Sequence, residues 1–130
     1  MQPVASPIVI DRLRAALRGP LPGLRAQLRM SPQPRPGSER IFDPTLDCRR
    51  AAVLILVYPW RNALHLVLTR RTEWLQSHQG QISLPGGSLE ADETPRAAAL
   101  RETWEELGVD PRQVQVLGQL SPLYIPPSNF

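Results

Sequence analysis

The chain has 130 residues, 42% of them hydrophobic and 21% charged, with a formal net charge of +3. That is enough for one domain with a modest core, and it excludes a disordered polyelectrolyte. The single cysteine, Cys48, excludes an intrachain disulfide framework and a zinc site built on cysteine pairs, and sets the expectation of a reducing, cytoplasmic setting.

In chain order, residues 6–19 (SPIVIDRLRAALRG) read as a helix. Ser6 is the candidate N-cap, Pro7 fits the first turn, and Gly19-Pro20 ends the helix. Val9, Leu13, Ala16 and Leu17 share one face. The arginines and scarcity of acids here also resemble a mitochondrial transit peptide, the alternative reading of this stretch. Asp11, Arg12 and Arg14 interrupt the only segment that could serve as a signal-peptide core. Six of the 15 prolines lie between Pro20 and Pro44, so this stretch is extended, with at most a short helical turn over 23–30.

From Arg50 the character changes. Ala51 to Val57 is the longest apolar run, seven residues against the ~20 that span a bilayer, and it reads as a buried strand. A turn at Pro59-Trp60-Arg61-Asn62 leads into a second strand, Leu64 to Arg70, making a hairpin. Residues 72–80 read as a loop, Gln81 to Leu84 as a short strand, and Thr94 as the cap of a helix with Pro95 at its first position. That helix runs to Leu107 and stops at Gly108. Gln113 to Leu120 reads as a last strand.

Charge is unevenly placed. Residues 1–50 hold nine arginines against four acids, while 86–110 hold two against seven. Such an arrangement suits an anionic ligand held by arginines and metal ions, the alternative being two solvated faces. On the helix, Ala97, Leu100, Trp104 and Leu107 form the expected core face, with Glu102, Glu105 and Glu106 roughly opposite. Like charges at spacings of three and four destabilise a helix, and near its C-terminal end they oppose the dipole. A sequence carrying both penalties either holds a hard cation such as Mg2+ or presents a solvated acidic face.

From Gly87 the residues run GSLEADETPRAAALRETWEELGV. They resemble the Nudix box, G-x5-E-x7-R-E-U-x-E-E-x-G-U with U apolar, at Gly87, Glu93, Arg101, Glu102, Glu105, Glu106, Gly108 and Val109. Thr103 departs, standing where a bulky aliphatic is usual. The resemblance implies a Nudix-type α/β/α sandwich with a mixed sheet over 50–130, preceded by a helical and proline-rich extension over 1–49. It further implies Mg2+ or Mn2+ bound by Glu102, Glu105, Glu106 and the Gly86 carbonyl. Arg101, Glu105 and Glu106 would be the catalytic residues, one of the two glutamates serving as general base, and Glu93 and Gly108 would be structural.

Ahead of the box, Leu68, Thr69, Arg71, Gly80, Pro85, Gly86 and Gly87 resemble the L-L-T-x-R-[SA]-x3-R-x3-G-x3-F-P-G-G motif of Nudix coenzyme A pyrophosphatases. Thr72, Gln76 and Leu84 depart from it. Thr69, Arg71, Gly80 and Gly87 would then contact substrate, and His78 is either a phosphate contact or a surface histidine. The implied reaction is metal-dependent hydrolysis of coenzyme A or acyl-CoA to 3′,5′-ADP and the (acyl-)4′-phosphopantetheine. The alternatives are another nucleoside diphosphate derivative such as ADP-ribose, or a non-catalytic module that binds a nucleotide or a partner. The expected partner is a small-molecule nucleotide, neither nucleic acid nor membrane, and the resemblance allows a homodimer. Nudix domains continue well past the strand after the box. A stop at Phe130 therefore sets the expectation of a domain incomplete at its C-terminus, weakly active and prone to self-association.

Overall fold

The computed structural model describes residues 6–31, 47–61, 63–70 and 80–130. Asn62, Arg71, all but the last residue of the expected loop over 72–80, with Gln76 and His78, and most of the proline-rich stretch lie outside the described residues. The described residues fall into two compact units. One is built on residues up to Val9 with Ala51–Gln115, the other on parts of Ile10–Arg50 with Val116–Phe130. No described helix is long and apolar enough to cross a membrane.

α1 (Ser6–Arg18) starts at the expected cap residue and closes with a bond from Gly19 N–H to the Ala16 carbonyl, and α2 (Gly23–Met30) is a full helix where at most a short helical turn is expected. The apolar face of α1 is narrower than the spacing predicts. Val9 and Leu17 are half-buried, whereas Ala16 is exposed and Leu13 is 42% exposed. The terminal segment is tied down by Arg49. Its backbone N–H donates to the Asn129 carbonyl (2.8 Å), and its guanidinium donates to the Ser128 carbonyl (2.7 Å) and lies over the Phe130 ring.

In the first unit the apolar run 51–57 is divided. β1 (Ala51–Val53) pairs antiparallel with β6 (Gly86–Ser88), while β2 (Val57–Trp60) pairs with β3 (Ala63–Leu66). The hairpin is there, but its turn is shorter than expected, because Pro59 and Trp60 belong to β2. Pro59 lies opposite Leu64, and Tyr58 opposite His65. Past Leu66 the expected second strand breaks, and β4 (Thr69–Arg70) pairs with β5 (Ile82–Ser83). Leu54 N–H bonds to the Pro85 carbonyl and Val67 N–H to the Leu56 carbonyl, bridging the gaps between ladders. The class is α/β. All three described ladders are two-stranded and antiparallel, where a mixed sheet was expected.

α3 (Pro95–Leu107) begins and ends where its sequence signals stand. Thr94 takes an extended conformation and its hydroxyl accepts from Ala97 N–H at 3.2 Å; Gly108 at φ 69° closes the helix, its N–H bonding the Trp104 carbonyl. Among the described residues the expected last strand, Gln113 to Leu120, is not formed. Asp110 caps a single 3-10 turn over Pro111–Gln113, Val114 N–H bonds the Pro111 carbonyl, and no described ladder includes 114–120. Alternating side chains do not make a strand without a ladder partner to accept its hydrogen bonds.

The buried face of α3 also corrects the expectation. Ala98, Ala99 and Thr103 are the buried residues, whereas Ala97 is exposed, Trp104 is 57% exposed and Leu107 38%. α3 packs against β1 and β6, and β6 carries two glycines. A helix can approach so bare a backbone closely only through small side chains, so alanine and threonine face it and tryptophan does not. Thr94→Ala should lower stability by about 1 kcal/mol through loss of the cap. The check is the urea midpoint, expected to fall with an unchanged slope.

Candidate active site

The site is organised around one guanidinium at the middle of α3. Arg101 Nε donates to Glu93 Oε1 (2.9 Å) and one terminal nitrogen to Glu93 Oε2 (2.9 Å), a two-pronged pair in which Glu93 is only 12% exposed. That same nitrogen donates to the Ser88 carbonyl at the end of β6 (3.1 Å). The other terminal nitrogen reaches Glu102 Oε1 at 2.8 Å and Glu105 Oε1 at 3.5 Å. All five N–H donors of the side chain are thereby used. Glu93 in turn accepts from Glu90 N–H (3.0 Å), fixing the loop that precedes the helix.

The two glycines of β6 meet the other carboxylates. Gly86 N–H donates to Glu106 Oε2 at 3.2 Å. A Cβ on Gly87 would fall on the carboxylate of Glu102, and a Cβ on Gly86, at φ 150°, would fall on the Ala52 carbonyl and the Val53 Cα. Glu102 and Glu106 thus lie on the ladder side of α3, together with the buried Ala99 and Thr103. Helical spacing alone predicts them opposite the core. Glu102 is 21% exposed and Glu105 54%, so the acidic patch runs from the ladder out to solvent. Among the described residues, no three acidic, histidine or cysteine side chains already form a ligand cluster. Glu102 and Glu105 are drawn to Arg101 instead.

Of the remaining sequence candidates, Thr69 lies in β4. Its hydroxyl bonds the Ser83 carbonyl across the ladder (3.2 Å) and stands 3.1 Å from the Ser83 hydroxyl. Gly80 precedes β5, Gly108 caps α3, and Arg71 lies outside the described residues. Two participants were missed. The Ser88 carbonyl carries no sequence signal, being a backbone atom. Glu90 could have been found by its spacing of three from Glu93, the separation at which two loop residues close a turn.

Hydrogen bonds from Arg101 and then from Glu90 N–H hold the Glu93 carboxyl below its ordinary 4.5, and Glu93, followed by Glu102, raises the Arg101 guanidinium further. A carboxyl lowered in the folded state stabilises fully above its unfolded value and loses that contribution as pH falls through the folded one. Glu93→Gln should therefore melt at a lower temperature than the parent at pH 7, with the gap closing below pH 4.5. Thermal unfolding followed by circular dichroism between pH 7 and 3 checks this, and a gap of constant size would contradict it.

Comparison with known proteins bears on the same residues. A family profile described as the NUDIX domain matches residues 49–130. A protein of Klebsiella aerogenes called uncharacterized Nudix hydrolase NudL is 42% identical over 81 residues, 62% of this chain and 67% of its own. Its namesake in Photorhabdus laumondii is 42% identical over 100 residues, 76% of this chain and 49% of its own. That of Citrobacter koseri is 45% identical over 80 residues, 61% and 41% of the two chains. The chain thus spans about half the length of several curated relatives. The profile covers most of the chain and takes in the whole Arg101 cluster, and on that ground the chain belongs to the Nudix hydrolase family.

Proposed function

We propose that the protein hydrolyses the pyrophosphate linkage of coenzyme A or an acyl-CoA in the presence of Mg2+ or Mn2+, releasing 3′,5′-ADP and the (acyl-)4′-phosphopantetheine. The observation that carries the reading is the pair of contacts between α3 and β6, Glu106 on Gly86 N–H and Glu102 over Gly87. Hard carboxylate oxygens crowded against a backbone stripped of side chains suit a divalent cation and the phosphate oxygens that accompany it. Glu102, Glu105, Glu106 and the Gly86 carbonyl would hold the ion. When bound, such an ion neutralises charge on the diphosphate and lowers the pKa of a coordinated water.

The chain's own residues supply the rest. One of Glu105 and Glu106 takes the proton of the attacking water. The water oxygen bonds to phosphorus as the bridging P–O bond breaks, and the bridging oxygen leaves with the other phosphate. Arg101 orients Glu102 and Glu105, and Glu93 holds Arg101 from behind. Gly86 and Gly87 keep open the space a side chain would fill.

The coenzyme A assignment rests on Leu68, Thr69, Arg71, Gly80 and the Pro85-Gly86-Gly87 run in their motif spacing. Gln76, where that motif has arginine, removes a charge a phosphate could use, and favours keeping ADP-ribose as the second reading. Glu105→Gln or Glu106→Gln should each cut turnover at least about a hundredfold at saturating Mg2+ while the fold persists. The measurement is release of 3′,5′-ADP from coenzyme A, and near-parental rates in both variants would sink the assignment. Coenzyme A should exceed ADP-ribose and nucleoside triphosphates in kcat/KM. A preference for a triphosphate would move the substrate class while leaving the hydrolase reading in place.

A further inference from the structure

Thr103 departs from the bulky aliphatic usual at its place in the box, and its side chain is fully buried, 0% exposed. Its hydroxyl donates to the Ala99 carbonyl at 2.7 Å, a bond within its own helix that satisfies the group without engaging the ladder. What the surroundings feel is therefore the volume of the side chain, not its polarity. Ala99, Glu102, Thr103 and Glu106 are spaced by three and four and share one side of α3. Packing there decides how near the two glutamates come to β6. The Glu106 to Gly86 bond, at 3.2 Å, is at the long end of the hydrogen-bond range. A helix lifted by a few tenths of an ångström would lose it.

We propose that Thr103 is a positioning residue whose small buried side chain sets the depth of α3 against the β1–β6 ladder, holding the Glu106 carboxylate on Gly86 N–H and the Glu102 carboxylate over Gly87. Close-packed interiors do not absorb added methylenes locally; they shift neighbouring elements instead. Thr103→Val keeps the volume and should leave the contact intact. Thr103→Leu enlarges the side chain and should break it. The geometric part stands on the contacts alone, while its consequence for metal affinity rests on the metal-dependent reading proposed above.

The test compares the parent 130-residue chain with Thr103→Val, Thr103→Leu and Glu106→Ala by two readouts. The first is the Gly86 amide resonance, with Glu106→Ala, which has no acceptor left, as the reference for a lost contact. The second is Mn2+ affinity from titration followed by electron paramagnetic resonance. The expected result is a parental Gly86 shift for valine, a shift moved to the Glu106→Ala position for leucine, and at least a tenfold weaker Mn2+ affinity for leucine but not for valine. Should leucine abolish cooperative unfolding, Thr103→Ile, with one added methylene relative to valine, takes its place. A leucine or isoleucine variant that folds and keeps the parental Gly86 shift overturns the proposal, as does a valine variant as disturbed as leucine. A parent that binds no Mn2+ while the Gly86 shifts follow the expected order defeats the metal reading and upholds the positioning role.

Discussion

Three carboxylates within five residues of one helix, all near its C-terminal end, would repel one another and oppose the helix dipole were no cation at hand. Arg101, next to Glu102 and one turn before Glu105, is that cation. It holds Glu93 with two prongs, reaches the Ser88 carbonyl, and faces Glu102 and Glu105. The loop, the last residue of β6 and α3 are joined through a single side chain. Lysine, with a point charge and three donors on a flexible stem, could not span the same partners in one plane. The rigidity of the site therefore comes from a planar fork more than from apolar burial.

That balance matches what the helix buries. Among the described residues, the fully or nearly buried set comprises Ala98, Ala99, Thr103 and Pro85, all small or compact. Little apolar area is removed from water by such residues, so their value lies in closeness of approach. Close approach in turn allows short-reaching contacts such as that between Glu106 and Gly86. Polar organisation and tight packing are two aspects of one arrangement here.

Punctuation was the most legible part of the sequence. Thr94, Pro95 and Gly108 mark the bounds of α3 because capping is local chemistry, decided by a side chain within three residues of the backbone group it serves. The hairpin was legible for a similar reason, though its turn was set too early because Pro59 can occupy a ladder position in a two-stranded ribbon. The buried face of α3 was not legible. Hydrophobic periodicity assumes that charged residues turn to solvent, and here glycines on the facing strand admit Glu102 and Glu106 instead. Nor was the absence, among the described residues, of a ladder over 114–120, since pairing depends on a partner strand that periodicity within one segment does not reveal. The box spacing marked which side chains gather around Arg101; it carried no information on the direction from which the ladder meets them.

Gly86 and Gly87 stand side by side and yet are constrained by different things. At Gly86 the obstacle to a side chain is backbone, the Ala52 carbonyl and Val53 Cα, so any replacement disrupts the ladder itself. At Gly87 the obstacle is the far end of a flexible glutamate, which can swing aside at little cost to the fold. At the first position a side chain is excluded by backbone, at the second only by a neighbour that can move. A residue at 87 finds room once the Glu102 carboxylate leaves its place, so positions 87 and 102 are sterically coupled, whereas no single side-chain change elsewhere makes room at 86.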